Sequence, residues 1–234
     1  MKRAVPILLG IAAAGLFLLF LLWGENRLAL LAALLCVLLA LPFFLRFERE
    51  GDARKAVLLA AFTALSVAGR VLFAPFPSFK PVAALVALAG AFFGAEFGFL
   101  CGALTALLSN FYFGHGPWTP FQMLAWGAVG GAAAFVPGLK KSPLVQGLYG
   151  VLSGVFYSAV MDVFTTVFQE GSFSLNRYLV YLSAAIPVTA VYAVSNVLFL
   201  WVLTPGLRRI TERLAKKYGF VIHRFRKEKQ HETH

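Results

Sequence analysis

Apolar residues dominate eight stretches of the chain, and charged residues fall mostly in the short segments between them. Runs of about 18 apolar residues are long enough to cross a bilayer core of roughly 30 Å as helices. The runs are continuous rather than alternating, so the pattern predicts helices and not a β-barrel. The predicted spans are residues 4–23, 28–45, 56–74, 80–93, 97–110, 120–137, 143–168 and 178–204.

The segment between residues 82 and 110 is ambiguous. As one helix it would be about 43 Å long, with Glu96 near its centre. With two helices there, one membrane face carries two basic residues before the first span, four in the linker at 46–55, two at 140–141 and nine in the tail. The other face carries only three, so the positive-inside rule favours two short helices, a turn at residues 94–96 and both termini in the cytoplasm.

Composition agrees with this reading, because 60% of the residues are hydrophobic and only 13% are charged. The predicted fold class is an all-α integral membrane protein: a six-helix bundle at residues 56–205, preceded by two extra transmembrane helices within residues 1–45. Residues 46–55 form a charged cytoplasmic linker. The basic tail at 206–234 either lies as a helix on anionic lipid headgroups or is solvated. The net charge of +11 is therefore assigned to membrane orientation and lipid contact, with no nucleic-acid partner.

Both cysteines, Cys36 and Cys101, lie inside apolar runs without a CxxC spacing. They are expected to be buried free thiols, and no metal site and no cofactor are predicted.

Polar and aromatic residues from six segments fall in the outer third of the predicted membrane, counted at 1.5 Å per residue along each span. Ionisable groups at such a depth are costly unless they face a bundle interior or a cavity. We therefore predict an outward-facing pocket, with Arg70 and Asp162 as natural partners. The candidate binding residues are Arg70, Lys80, Asn110, His115, Trp118, Gln122, Trp126, Ser158, Asp162, Tyr178 and Tyr181.

Other readings remain open for some of these residues. Trp118 and Tyr178 fit an interfacial aromatic belt, Arg70 could snorkel to headgroups, and His115 fits an ordinary loop residue. Asn196 is excluded from the set, because counting along the last span places it about 27 Å deep, near the cytoplasmic face. It is expected to bond between helices, in a span that Pro187 bends.

Two rows of small residues have the four-residue spacing of a helix ridge, which lets helices approach closely in lipid. One row is Ala56, Ala60, Ala64 and Ala68, which serves either internal packing or contact with another protein. The other row is Gly90, Gly94, Gly98 and Gly102. For the glycines we predict tight packing of the two short helices.

The six-span body, about residues 53–205, resembles the substrate-binding S component of energy-coupling factor (ECF) vitamin transporters. The alanine row is similar to that family's AxxxA signature. Three stretches in order are similar to family patterns: "GRVLFAPFPSFKP" (69–81), "GAFFGAEFGFLCGALTALLSN" (90–110) and "GPWTPFQMLAWG" (116–127). The two extra N-terminal helices depart from the six-span pattern.

The resemblance implies a substrate-capture subunit in a prokaryotic plasma membrane, with no enzymatic activity of its own. It implies that the protein binds a vitamin or related micronutrient outside, with cobalamin or a precursor as the first expectation. The implied partners are a transmembrane scaffold subunit, which the alanine row would contact, and two ATPase subunits that drive release inside.

Two rival functions are weighed against this one. A membrane enzyme is disfavoured because the chain has no HExxH, no GxSxG and no carboxylates at metal spacing. An autonomous carrier or channel for a small organic solute would usually show ionisable groups along a whole path. Here they end in the outer third.

Overall fold

The structure is a computed structural model that describes residues 53–218, and this range is entirely helical apart from its connecting loops. Four of its helices, Ala53–Leu72, Ala95–Phe113, Pro143–Glu170 and Ile186–Lys217, are long and apolar enough to cross a membrane. The predicted all-α membrane class is thereby confirmed. The predicted helices within residues 1–45, the linker up to residue 52, Cys36 and residues 219–234 lie outside the described range. The helices are α1 (Ala53–Leu72), α2 (Val82–Phe93), α3 (Ala95–Phe113), α4 (Thr119–Ala133), α5 (Pro143–Glu170), α6 (Leu175–Ala184) and α7 (Ile186–Tyr218).

The ambiguous segment forms two helices that fold back on each other at Gly94. This glycine has a φ of 105° and lies between α2 and α3. In one straight helix Gly90 and Gly98 would be about 12 Å apart. Here a Cβ added to Gly98 would lie 2.5 Å from the Gly90 Cα. The predicted turn is confirmed, and it depends on a backbone conformation that L side chains rarely adopt.

Helix α2 lies at the centre of the described bundle. All its residues from Val82 to Phe92 are buried, and the helix contacts α1, α3, α4, α5 and α7. At 12 residues it is about 18 Å long and too short to face lipid along a full span. Its neighbours cover it on all sides, so this short helix is shielded from lipid.

Close backbone contact holds α2, α3 and α4 together. A Cβ added at Gly90 would lie 1.7 Å from the carbonyl oxygen of Gly130, and one added at Gly98 would lie 2.3 Å from the same atom. The prediction of tight packing for the glycine row is confirmed. Gly130 on α4 is a third partner that the sequence spacing did not indicate.

Helix α5 has a broad apolar surface on the outside of the bundle, as expected of a membrane helix. Leu144, Leu148, Leu152 and Phe156 are all exposed there. The Ser142 hydroxyl caps the start of this helix by accepting a hydrogen bond from the backbone N–H of Val145 at 3.4 Å, which satisfies a donor that the helix leaves unpaired.

The last predicted span, 178–204, is two helices that meet at Ala185. The break lies two residues before Pro187, which has no N–H to continue the ladder of hydrogen bonds. Helix α7 then continues without interruption past Pro205 to Tyr218. Its last turns therefore belong to the segment that the sequence assigned to the tail, which begins at residue 206. Cys101 is buried and free, as expected.

Candidate functional site

Arg70 lies in the last turn of α1 on its buried face, and only 7% of it is exposed. Its Nη1 donates to the Ser109 hydroxyl and, at 2.7 Å, to Oδ1 of Asn110. Both acceptors lie near the C-terminal end of α3, so the guanidinium connects the ends of α1 and α3. Its buried Nε has no hydrogen-bond partner.

Asn110 carries the network from α3 to α4. Its amide nitrogen donates to the Thr119 hydroxyl at 2.8 Å and to Oε1 of Gln122 at 2.9 Å. The Gln122 amide nitrogen in turn donates to the Tyr157 hydroxyl on α5 at 3.3 Å. Since one Asn side chain accepts from the cation and donates to two neighbours, nearly all its hydrogen-bonding capacity is used.

Three aromatic residues continue the network into α7. The indole Nε1 of Trp126 donates to the Tyr192 hydroxyl at 2.7 Å. The Tyr157 ring stacks on both, with its centroid 5.4 Å from that of Trp126 and 4.8 Å from that of Tyr192. The connected set is called the Arg70 cluster below. It consists of Arg70, Ser109, Asn110, Thr119, Gln122, Trp126, Tyr157 and Tyr192.

Two cations approach one ring at the edge of this cluster. The Arg70 guanidinium carbon lies 4.4 Å from the ring centroid of Phe113 and 4.9 Å from that of Trp126. The Lys80 ammonium lies 4.9 Å from the centroid of Phe113. Burial lowers the pKa of Lys80, in the loop between α1 and α2, and the nearby positive charge of Arg70 lowers it further.

The Lys80 loop is held against α7. The backbone N–H of Lys80 donates to the Ser195 hydroxyl at 2.9 Å, and that hydroxyl donates to the Lys80 carbonyl at 3.1 Å. Asn196 is the next residue along α7. Its predicted depth was counted along one straight span from residue 178, whereas the chain breaks at Ala185. Asn196 does bond between helices as expected, to the Gly150 carbonyl and the Ser153 hydroxyl.

A glycine contact sets the position of Trp126 on α4. A Cβ added at Gly102 of α3 would lie 2.3 Å from the Trp126 carbonyl oxygen. The backbones therefore touch at this point, and the indole is held where it reaches both Tyr157 and Tyr192.

The predicted pairing of Arg70 with Asp162 is wrong. Asp162 Oδ2 is buried without a partner, and the contacts of Arg70 are with Ser109, Asn110 and two aromatic rings. The reason is helical geometry. Asp162 follows Tyr157 by five residues, so it lies about 7.5 Å farther along α5 and on another face.

Five other candidates contact residues outside the Arg70 cluster. His115 is exposed and packs edge-on against Phe111, and Trp118 covers Gly116. Ser158 shares a hydrogen bond with Thr189 at 2.6 Å. Tyr178 donates to the Ala159 carbonyl at 3.4 Å, and Tyr181 donates to Glu170 at 3.1 Å.

The structure therefore brings together Arg70, Asn110, Gln122 and Trp126, with Lys80 at their edge. Sequence reasoning missed Ser109, Thr119, Tyr157 and Tyr192. Two signals were available: Ser109 and Thr119 lie close in sequence to the candidates Asn110 and Gln122, and Tyr157 and Tyr192 are hydroxyl-bearing aromatics within apolar spans. Among residues 53–218, no group of His, Cys, Asp and Glu is arranged to hold a metal ion.

Comparison with known proteins identifies one family. The model of the family described as "ECF-type riboflavin transporter, S component" matches residues 52–207, which is more than half of the chain. Comparison with curated proteins and with solved structures gave no match. A family of transporter components agrees with the expectation that the chain is not an enzyme. On the match over residues 52–207, the chain belongs to the S-component family of ECF-type riboflavin transporters.

Proposed function

We propose that this protein captures a vitamin or related micronutrient from outside a prokaryotic plasma membrane and releases it inside in complex with an ECF scaffold and two ATPases. The family match over residues 52–207 carries the proposal. In this scheme both termini lie in the cytoplasm, and ATP hydrolysis on the partner subunits drives reorientation of the S component. The chain itself supplies binding and coupling.

The Arg70 cluster is the proposed binding site. It joins five helices, α1, α3, α4, α5 and α7, at the end of the bundle that the charge distribution predicts to face outward. Binding sites of this kind are mostly apolar, with a few convergent polar groups that orient the ligand. The stacked rings of Trp126, Tyr157 and Tyr192 suit a planar ring system.

A flavin is the first substrate to test. The description of the matched family names riboflavin, and the flat isoalloxazine ring fits a site walled by stacked aromatic side chains. Cobalamin, the first expectation from sequence, becomes the second choice.

The alanine row is the proposed docking surface for the scaffold. Ala56, Ala60, Ala64 and Ala68 are all exposed, while Leu59, Phe62, Thr63, Ser66 and Arg70 of the same helix are buried. Internal packing within the described bundle therefore does not explain the row. Small side chains allow a second helix backbone to approach closely, so dispersion contacts can hold it in lipid.

Reconstitution in liposomes tests the proposal. The purified protein should accumulate riboflavin only when the scaffold and both ATPases are present and ATP is supplied. Uptake by the protein alone would contradict the proposal and favour the autonomous carrier. Mass spectrometry of solutes retained through purification would identify the substrate independently.

A further inference from the structure

Arg70 is a buried cation for which the described part of the chain supplies no opposite charge. Residues 53–218 contain four carboxylates. Glu170 pairs with Arg177 at 3.4 Å and Glu212 pairs with Arg208 at 2.8 Å. Glu96 begins α3, about 21 Å along the helix from Asn110, and Asp162 lies on another face of α5. Buried charges in proteins are normally paired, because removing them from water is costly.

The contacts of Arg70 leave one edge of its guanidinium without a hydrogen-bond partner among residues 53–218. Nη1 makes both hydrogen bonds, and Nε is buried without a partner. Within residues 53–218 no hydrogen bond to Nη2 is present. The edge formed by Nε and Nη2 has two parallel N–H donors, the geometry that binds two oxygens of a carboxylate or phosphate.

Lys80 adds a second positive charge next to the first. Its ammonium and the Arg70 guanidinium each lie within 5 Å of the centroid of the Phe113 ring. The two cations repel each other, and no carboxylate of residues 53–218 pairs with either. An anion near both cations would relieve the repulsion and supply the missing charge.

We propose that the captured solute carries a carboxylate or phosphate, and that this group binds the Nε–Nη2 edge of Arg70 with Lys80 as the second cation. The inference rests on the proposed function and narrows its substrate class. It favours the phosphorylated or carboxylated form of a vitamin over the neutral form. The neutral acceptors Ser109 and Asn110 position the guanidinium, while the solute neutralises it.

Matched pairs of solutes that differ by one anionic group test this inference. The probes are riboflavin and riboflavin 5′-phosphate, pyridoxine and pyridoxine 5′-phosphate, and nicotinamide and nicotinate. Binding is measured on the full chain in phosphatidylcholine nanodiscs by tryptophan fluorescence and thermal shift. For the pair that binds, the anionic member should bind about 10- to 100-fold more tightly, as expected for hydrogen bonds to a charged group.

Substitution should then assign the preference to Arg70. Arg70→Gln should reduce the preference for the anionic solute to less than about threefold, and Arg70→Lys should retain part of that preference. The exposed Arg177→Gln control should leave the preference unchanged. Lys80→Gln, outside the buried hydrogen bonds, should also reduce it and provides a test if Arg70→Gln does not fold. Equal or tighter binding of the neutral member, or an unchanged preference in Arg70→Gln, would overturn the inference.

Two further measurements are needed. One distinguishes a solute anion from a lipid phosphate, and the other distinguishes the anion preference from the proposed transport function. Phosphatidylcholine already carries a headgroup phosphate. If such a phosphate occupies Arg70, the preference should be absent in the nanodiscs and should appear in a maltoside detergent, which has no phosphate, and that result would overturn the assignment to a solute. If none of the pairs binds, the solute retained through purification is identified and its charge is determined. A neutral solute overturns the inference. An anionic preference without scaffold-dependent uptake would remove the proposed function instead.

Discussion

The chain has two surfaces of small residues, and they have opposite places in the structure. The glycines Gly90 and Gly98 are buried against Gly130 at backbone distance. The alanines of α1 have the same four-residue spacing but are exposed. The glycine surface holds this chain's own helices together, whereas the alanine surface is exposed in the described part of the chain.

The spacing alone could not distinguish these surfaces, because it gives only a ridge on a helix. What separates them is the rest of each helix. Helix α2 is apolar on every face, so it belongs inside the bundle. Helix α1 has a buried face of Leu59, Phe62 and Arg70, and its alanines lie outside that face. The burial of a helix's other faces must therefore be considered together with any row of small residues on it.

The largest effect is expected at the glycine surface. Gly98→Ala places a Cβ 2.3 Å from the Gly130 carbonyl oxygen and 2.5 Å from the Gly90 Cα. The backbones must separate, so we expect a loss of about 3 kcal/mol in the free energy of unfolding or failure to fold. Denaturation in mixed micelles measures this loss.

Gly147→Ala is the control for Gly98→Ala, because its added Cβ would be 3.8 Å from Trp201, an ordinary contact distance. It should keep wild-type stability. Equal stability of Gly98→Ala and Gly147→Ala would show that the close backbone contacts do not hold the bundle together.

The second effect is expected at the alanine surface and concerns assembly. Ala64→Leu adds three carbons to an exposed position, so it should leave stability and solute binding unchanged. It should instead reduce co-purification with the scaffold at least about tenfold, because the added side chain keeps the partner helix away.

Ala61→Leu is the matched control, since Ala61 is also exposed on α1 but lies outside the four-residue row. It should assemble normally. If both variants assemble like the wild type, the exposed row is not the scaffold surface.

The sequence predicted the helices well, because apolar length and loop charge follow directly from the cost of burying polar groups in lipid. The turn at Gly94 and the buried free Cys101 were predicted as they occur. The site was predicted only in part. Depth was counted along straight helices, although the chain breaks at Ala185, and Tyr192 was not considered.

Rotation around the helix axis explains the remaining error. The sequence placed Asp162 at a suitable depth but gave no contact to fix the face of α5 that meets Arg70. The structure shows that Tyr157 is on that face. A depth count therefore finds the level of a membrane site, and side-chain contacts are needed to find its members.

The third effect connects the glycine surface with the site. Trp126→Ala removes the indole that stacks on Tyr157 and donates to Tyr192, at the point where the α4 backbone touches Gly102. We expect the affinity for riboflavin to fall about 30-fold, the effect of losing a central aromatic contact. Trp201 on α7 is exposed and provides the control. Trp201→Ala should bind riboflavin normally in equilibrium dialysis. Equal losses in both variants would mean that Trp126 has no special part in binding.

The smallest effect is expected at Asp162. Asp162→Asn keeps the shape of the side chain and removes its charge. Because Asp162 is on a different face of α5 from Tyr157 and does not contact Arg70, riboflavin affinity should change by less than about twofold. Stability should be equal or slightly higher, since Oδ2 is a buried oxygen without a hydrogen-bond partner and the amide carries no charge to desolvate. Dialysis and micelle denaturation measure the two quantities on the same preparation. A loss in affinity as large as that of Trp126→Ala would restore Asp162 to the binding site and would require α5 to rotate when the solute binds.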